Sequence, residues 1–148
     1  MNPPKTYAEW VTAFDALKSR TDDAAVLQAI KKGSIEWQSG VAERFVKKLT
    51  DTINSRMNAA NERFQRDMNN ARGQEGPIVQ ALLALRKEMI FLTDAINLPA
   101  IPEKDRDQYV RLVRSQADGM QRSLEDSAKK DRSGKMSSIV RNHKINAV

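Results

Sequence analysis

The chain contains no cysteine and a single histidine among its 148 residues. Without cysteine the protein can form no disulfide bond, no thiolate metal site and no cysteine nucleophile. The one histidine, His143, cannot supply a site that needs several histidine ligands, and no carboxylate lies close to it in the sequence. The residues therefore indicate no catalytic site, no metal site and no bound cofactor, and we expect a protein that is not an enzyme.

Long apolar runs and a secretory leader are missing as well. No stretch reaches the roughly 18 apolar residues that cross a bilayer. The first residues, MNPPK, lack the apolar centre of a signal peptide, and the absence of cysteine agrees with a reducing compartment. From these features we expect no membrane segment and residence in the cytoplasm.

Aromatic residues are scarce, at 5% of the chain. Proteins that bind single-stranded nucleic acid stack bases on exposed aromatic rings. Most rings here fall at helical spacing among other apolar residues, which favours a place in the core. Trp37, beside a break at Ser39 and Gly40, is the ring for which an exposed anchoring role stays open.

Helical periodicity dominates what the sequence does contain. Between residues 41 and 68, apolar side chains recur in steps of three and four, and no proline or glycine interrupts them. The spacing predicts one long helix over about residues 40–71, in an all-α bundle of about five helices that occupies residues 1–130. The apolar residues of the long helix are Val41, Phe45, Leu49, Ile53, Met57, Ala60, Phe64 and Met68.

Four further helices complete the predicted bundle. A capping box of Thr6 and Glu9 opens the first, and Thr21 is the predicted N-cap of a short second helix. Pro77 opens a helix that is apolar on more than one face, and Pro102 opens the last one. Because only a few residues connect them, the long helix and the helix after Pro77 should pack antiparallel.

The net charge of +6 is unevenly distributed along the chain. Residues 129–148 carry six basic side chains and one acidic side chain, whereas the rest of the chain is nearly neutral. In the same region serine and glycine appear and the apolar period fades. We therefore expect residues 131–148 to form a basic, flexible tail on the bundle.

The surplus of helical apolar surface favours an interaction or regulatory module. Such a module binds a protein partner, or a second copy of itself, through apolar helix faces. Self-association belongs to this hypothesis because the helix after Pro77 has more apolar faces than a small bundle covers. Methionine suits adaptable binding surfaces as well as irregular cores. The candidate partner-binding residues are Trp37, Met57, Met68 and Met120.

Nucleic-acid binding is the alternative interpretation, and basic side chains support it. Six of them, Arg56 included, run along the long helix, where Lys48, Arg63 and Arg66 fall within a narrow arc. Acidic residues interleave with this arc, a mixture that is also typical of a solvated face with salt bridges. The candidate contacts in the C-terminal region are Lys129, Lys130, Arg132, Lys135, Arg141 and Lys144.

An enzyme assembled from scattered polar residues is a third, less favoured hypothesis. Helical bundles host such sites mainly through clusters of glutamate and histidine, and this chain has one histidine. Glu103, Asp105 and Asp107 repeat the spacing that begins a calcium loop, but Gln108 and Arg114 stand where the loop needs glycine and glutamate. Acidic residues at the start of a helix explain the pattern better.

Overall fold

The regular elements of the protein are α-helices. A computed structural model describes residues 1–36 and 40–147, and that part of the chain contains six helices and no strand. The prediction of an all-α protein with one long helix is confirmed. The helices are α1 (Tyr7–Ser19), α2 (Asp23–Lys31), α3 (Val41–Ala71), α4 (Glu75–Ile96), α5 (Glu103–Ala128) and α6 (Lys135–Asn142).

The first two helices begin at side chains that accept backbone hydrogen bonds. At α1 the predicted capping box forms: the Glu9 amide donates to Thr6 Oγ1, and the Thr6 amide donates to Glu9 Oε1, each at 3.2 Å. At α2 the N-cap is Asp22, and not the predicted Thr21. Thr21 belongs to the end of α1, where its amide donates to the Ala16 carbonyl at 2.9 Å, so α2 starts one residue later.

A tight turn separates α3 from α4. Arg72 and Gly73 both have positive φ, of 49° and 75°, a conformation that favours glycine and ends many helices. Helix α4 then begins at Glu75, slightly before the predicted start. Pro77 lies in its first turn, where the missing amide hydrogen has no partner within the helix.

The C-terminal region predicted to be a tail contains a helix that the sequence does not predict. Lys135–Asn142 is the helix α6, and Ile139, Val140 and Ile145 are each at most 4% exposed. Because α6 has only 8 residues, it is too short to show several turns of apolar periodicity. Three buried aliphatic side chains hold this segment in place.

The helices assemble into two compact units. Unit 1 comprises Met1–Asn58 and Asp94–Tyr109, and unit 2 comprises Ala59–Thr93 and Val110–Val148. The long helices α3, α4 and α5 each contribute a part to both units. Helices α1 and α2 therefore belong to unit 1, and α6 belongs to unit 2.

An aromatic cluster forms the centre of unit 1. The ring centroids of Trp10, Phe14 and Phe45 lie 5.1, 5.4 and 5.6 Å apart in tilted or edge-on arrangements. Such pairs contribute about 0.5–1.5 kcal/mol beyond the burial of their surface. Trp10 Nε1 donates to the Ser34 carbonyl at 2.8 Å. The indole also fills the space at Gly33, where an added Cβ would lie 2.6 Å from Trp10 Cζ2.

A buried arginine connects α3 to the first two helices within unit 1. Arg56 is 2% exposed. Its guanidinium donates to both carboxylate oxygens of Asp23, at 2.8 and 3.0 Å, and to the Leu17 carbonyl at 3.2 Å. Arg56 is therefore not an exposed member of the row of basic residues that the sequence predicts along the long helix. The planar guanidinium binds the end of α1 and the start of α2 together.

One glutamine lies among the apolar side chains in the core of unit 2. Val113, Ala117 and Gln121 are buried along one face of α5. The amide nitrogen of Gln121 donates to the Val140 carbonyl at 3.4 Å, and its oxygen accepts from the Ile145 amide at 3.0 Å. Gln121 therefore holds the C-terminal segment against α5. Both polar atoms of its buried side chain have hydrogen-bond partners.

Candidate functional site

Helix α4 exposes a row of apolar side chains in unit 2. Leu83 is 39% exposed and Ile90 is 45% exposed, while Val79 is half-buried. Spacings of four and seven residues place these three, which we call the α4 stripe, within an arc of about 40°. The helix buries a different side in the core, through Ile78, Leu82, Leu85, Met89 and Leu92.

Basic side chains border the α4 stripe. Arg86 is half-buried and Lys87 is exposed, and both lie between Leu83 and Ile90 in the sequence. The next residue, Glu88, is only 9% exposed. The stripe is therefore an apolar strip with a cationic edge.

An open groove of about 420 Å³ runs between the last turns of α3 and the first turns of α4 in unit 2. Arg63 and Asp67, whose charged groups lie 3.8 Å apart, line its α3 side, and Gln80 and Ala84 line its α4 side. The shared lining shows that these helix segments lie side by side after the short turn. The polar groups of the groove are exposed or ion-paired, so we assign no chemistry to it.

The C-terminal cations are exposed side chains of unit 2. Their segment is fastened to α5 by Gln121 and by a hydrogen bond of 2.9 Å from Asn146 Nδ2 to Asp118. Lys129 and Arg141 line the same pocket of about 260 Å³, together with Glu125 and Ser137. We call the six exposed cations Lys129, Lys130, Arg132, Lys135, Arg141 and Lys144 the α5–α6 basic surface.

The one acidic residue within this stretch, Asp131, is held by the loop that it organises. Its carboxylate accepts hydrogen bonds from the Met136 amide at 3.1 Å and from the Ser133 amide and hydroxyl at 3.2 and 2.9 Å. The hydrogen bond from Met136, followed by those from Ser133, lowers the pKa of Asp131. The hydrogen-bonding capacity of this carboxylate is therefore taken up within the loop before α6.

Ion pairing on the α5–α6 basic surface is sparse. Lys129 lies 3.6 Å from Asp126, and Lys135 lies 3.8 Å from Glu75. Both pairs are well exposed, and exposed pairs contribute about 0–1 kcal/mol. Of the six cations on this surface, four have no ion pair with another described residue: Lys130, Arg132, Arg141 and Lys144.

Three of the residues predicted for partner binding lie in the described part of the chain, and they divide between the two units. Met57 is 7% exposed in unit 1, so it is a core residue and offers no anchor to a partner. Met68 and Met120 are half-buried in unit 2, and Trp37 lies outside the described residues. The two exposed leucine and isoleucine side chains of the α4 stripe present more surface than any of the three methionines.

The three cations of the predicted arc on α3 divide between the units. Lys48, in unit 1, lies 2.6 Å from Asp15 and is 27% exposed. Arg63 and Arg66 are exposed in unit 2, with Arg63 beside Asp67. Since Asp15 matches the charge of Lys48 within unit 1, the arc does not present three unpaired cations.

The α4 stripe lies on the helix that the sequence predicts to be apolar on more than one face, but its residues are not among the candidate partner-binding residues. Gln121 lies four residues after Ala117 and three residues before Leu124, which is the spacing of one helix face. A search for apolar residues passes over it because its side chain is polar.

Metal and membrane features are absent from the part of the chain that the structure describes. In residues 1–36 and 40–147, no group of three or more histidine or carboxylate side chains is placed to hold a metal ion. No helix in these ranges is both long and apolar enough to cross a membrane.

Comparison of the chain with protein-family models, with curated proteins and with solved structures finds no match. Unit 2 thus presents two candidate binding surfaces, the α4 stripe and the α5–α6 basic surface.

Proposed function

We propose that the protein is a non-enzymatic interaction module that binds a protein partner, or a second copy of itself, through the α4 stripe. The observation that carries this proposal is the exposure of Leu83 and Ile90 on one side of the most apolar helix of the chain. Each side chain leaves more than a third of its surface in water. Covering apolar surface contributes roughly 25 cal/mol per Å².

The α4 stripe has the spacing of a helix face that packs into an apolar groove. A helix bound in this way presents apolar anchors at helical spacing to the groove, and Val79, Leu83 and Ile90 repeat after four and seven residues. Lys87 adds a charged group beside the anchors, as in the polar rim of a protein interface. Because the stripe lies on a helix of 22 residues, binding orders little additional backbone.

Solution mass tests this proposal. The chain has a mass of 16.7 kDa. By light scattering we expect a mass that rises with protein concentration, or a stable complex with a partner that the tagged protein captures from an extract. The double variant Leu83→Glu with Ile90→Glu should abolish the association, because it places two unpaired charges in the interface.

Leu112→Glu is the matched control. Leu112 is 46% exposed on α5 in unit 2 but lies outside the α4 stripe. This variant should associate as the unaltered protein does. A strict monomer that captures nothing, or an equal loss of association in Leu112→Glu, would contradict the proposal.

A further inference from the structure

Unit 2 carries the whole excess positive charge of the protein. By sequence it contains 14 basic and 8 acidic side chains, whereas unit 1 contains 11 of each. The net charge of +6 is therefore a property of unit 2. Six of its cations lie between residues 129 and 144 and form the α5–α6 basic surface.

The α5–α6 basic surface combines positive charge with a lack of exposed apolar anchors. Ile139, Val140 and Ile145 are buried in unit 2, and Met136 is half-buried. A protein interface centres on apolar or aromatic side chains that lose their water on binding. A phosphate backbone requires only cations and hydrogen-bond donors. The composition of this surface therefore favours a polyphosphate over an acidic protein.

A membrane surface fits the same residues less well. An amphipathic helix binds a bilayer by burying its apolar face among the lipid headgroups and acyl chains. In α6 this face is already covered, since Ile139 is 4% exposed and Val140 is 1% exposed. Binding to a bilayer in that manner would require α6 to leave unit 2.

We propose that the α5–α6 basic surface binds the sugar–phosphate backbone of nucleic acid without reading its sequence. The cations without ion pairs displace counterions from the phosphates, and Lys129 and Lys135 join them because their exposed pairs are weak. Residues 129–147 contain no Phe, Tyr or Trp on which a base stacks. Affinity from this surface is therefore electrostatic. The cations without ion pairs are Lys130, Arg132, Arg141 and Lys144.

Fluorescence anisotropy with the full chain tests the proposal. The probes are a labelled single-stranded RNA of about 20 nucleotides and a labelled DNA duplex of about 20 base pairs. Each is titrated with the protein at salt concentrations between about 50 and 200 mM. The logarithm of the association constant should fall linearly with the logarithm of salt concentration. A fourfold variant should reduce this slope by about 3–4 and weaken binding at the lowest salt by about 100-fold. Its substitutions are Lys130→Gln, Arg132→Gln, Arg141→Gln and Lys144→Gln.

A charge-matched variant of unit 1 is the control. It removes the same number of positive charges from exposed positions of that unit. Because these positions do not belong to the α5–α6 basic surface, affinity should change by no more than about 3-fold. Circular dichroism checks that both variants keep their helices. The control substitutions are Lys5→Gln, Lys18→Gln, Lys47→Gln and Lys104→Gln.

Several outcomes would overturn the proposal. One such outcome is the absence of binding at the lowest salt concentration. Another is an equal loss of affinity in the two fourfold variants, which would show that binding depends on total charge only. A larger loss in a variant with Arg63→Gln and Arg66→Gln would move the site to α3. Competition by polyglutamate as strong as that by unlabelled nucleic acid would assign the surface to acidic proteins. The fourfold variant leaves the α4 stripe intact, so light scattering separates this result from the protein-binding proposal.

Discussion

Unit 1 and unit 2 share the three long helices but use their side chains differently. Six of the eight aromatic residues belong to unit 1, where Trp10, Phe14 and Phe45 close into a buried cluster. Its positive and negative charges balance, and its buried cation, Arg56, has a carboxylate partner. Unit 2 has two aromatic residues, all of the excess charge and the exposed α4 stripe.

Both units contain polar groups with internal partners and exposed cations, but the exposed side chains Leu83 and Ile90 and the excess positive charge belong to unit 2. In unit 1 the indole of Trp10, the guanidinium of Arg56 and the ammonium of Lys48 each have a partner from another segment of the unit. Such groups fix the fold. In unit 2, exposed apolar side chains and cations without ion pairs remain at the surface, where they are accessible to other molecules. These exposed groups are the reason that both proposed binding surfaces lie on unit 2.

The largest effect is expected where unit 1 buries a charge. Asp23→Ala removes the bidentate partner of Arg56, and we expect the free energy of unfolding to fall by about 3 kcal/mol, since a buried cation loses its counter-charge. Asp15→Ala removes the exposed pair with Lys48 and should cost less than about 1 kcal/mol. Urea denaturation measures both values. Similar losses in the two variants would show that burial does not distinguish these pairs.

A single methyl group should have opposite effects in the two units. Gly33→Ala in unit 1 places a Cβ 2.6 Å from Trp10 Cζ2 and 3.0 Å from Pro4 Cγ, and should destabilise by about 1–3 kcal/mol. Gly119→Ala, within α5 in unit 2, meets no atom within 4 Å and should stabilise by about 0.5–1 kcal/mol. Thermal unfolding of both variants checks the signs, and a destabilised Gly119→Ala would contradict the open space at that position.

In unit 2, loss of the hydrogen bond between Gln121 and the Ile145 amide should have a local effect on the C-terminal segment. Gln121→Ala removes the acceptor of the Ile145 amide, and we expect a cost of about 1–2 kcal/mol with faster proteolysis after α5. Gln116→Ala, at an exposed position of the same helix, should change neither property. Unaltered amide-hydrogen exchange at Ile145 in Gln121→Ala would show that this connection does not hold the C-terminal segment.

The smallest expected effect is a pH dependence at the loop before α6. Hydrogen bonds from Met136 and Ser133 lower the pKa of Asp131. Because the pKa is lower in the folded than in the unfolded chain, this stabilisation is present above the unfolded pKa and is lost as pH falls through the folded pKa. An NMR titration should give Asp131 a pKa below the usual 3.8 of an aspartate. A measured value at or above 3.8 would contradict the geometry of this loop.

Local patterns predict most of the helices but not the surfaces. The long helix, the capping box at Thr6 and the breaks near Gly40 and Gly73 depend on neighbours a few residues away, so the sequence predicts them well. Apolar identity alone does not predict exposure. Met57 has the same periodic spacing as a surface anchor would need, yet it is buried, whereas Leu83 is exposed on a largely buried helix.

The sequence by itself determines the all-α class, the long helix, the imbalance of charge and the lack of cysteine. These follow from composition and from hydrogen bonds between residues four apart. Only the tertiary structure decides that Arg56 meets Asp23, 33 residues away, that Ile145 closes onto Gln121, and that α4 leaves one apolar side uncovered. The physical reason is that burial is set by the segments that pack against a side chain, and those segments come from distant parts of the chain.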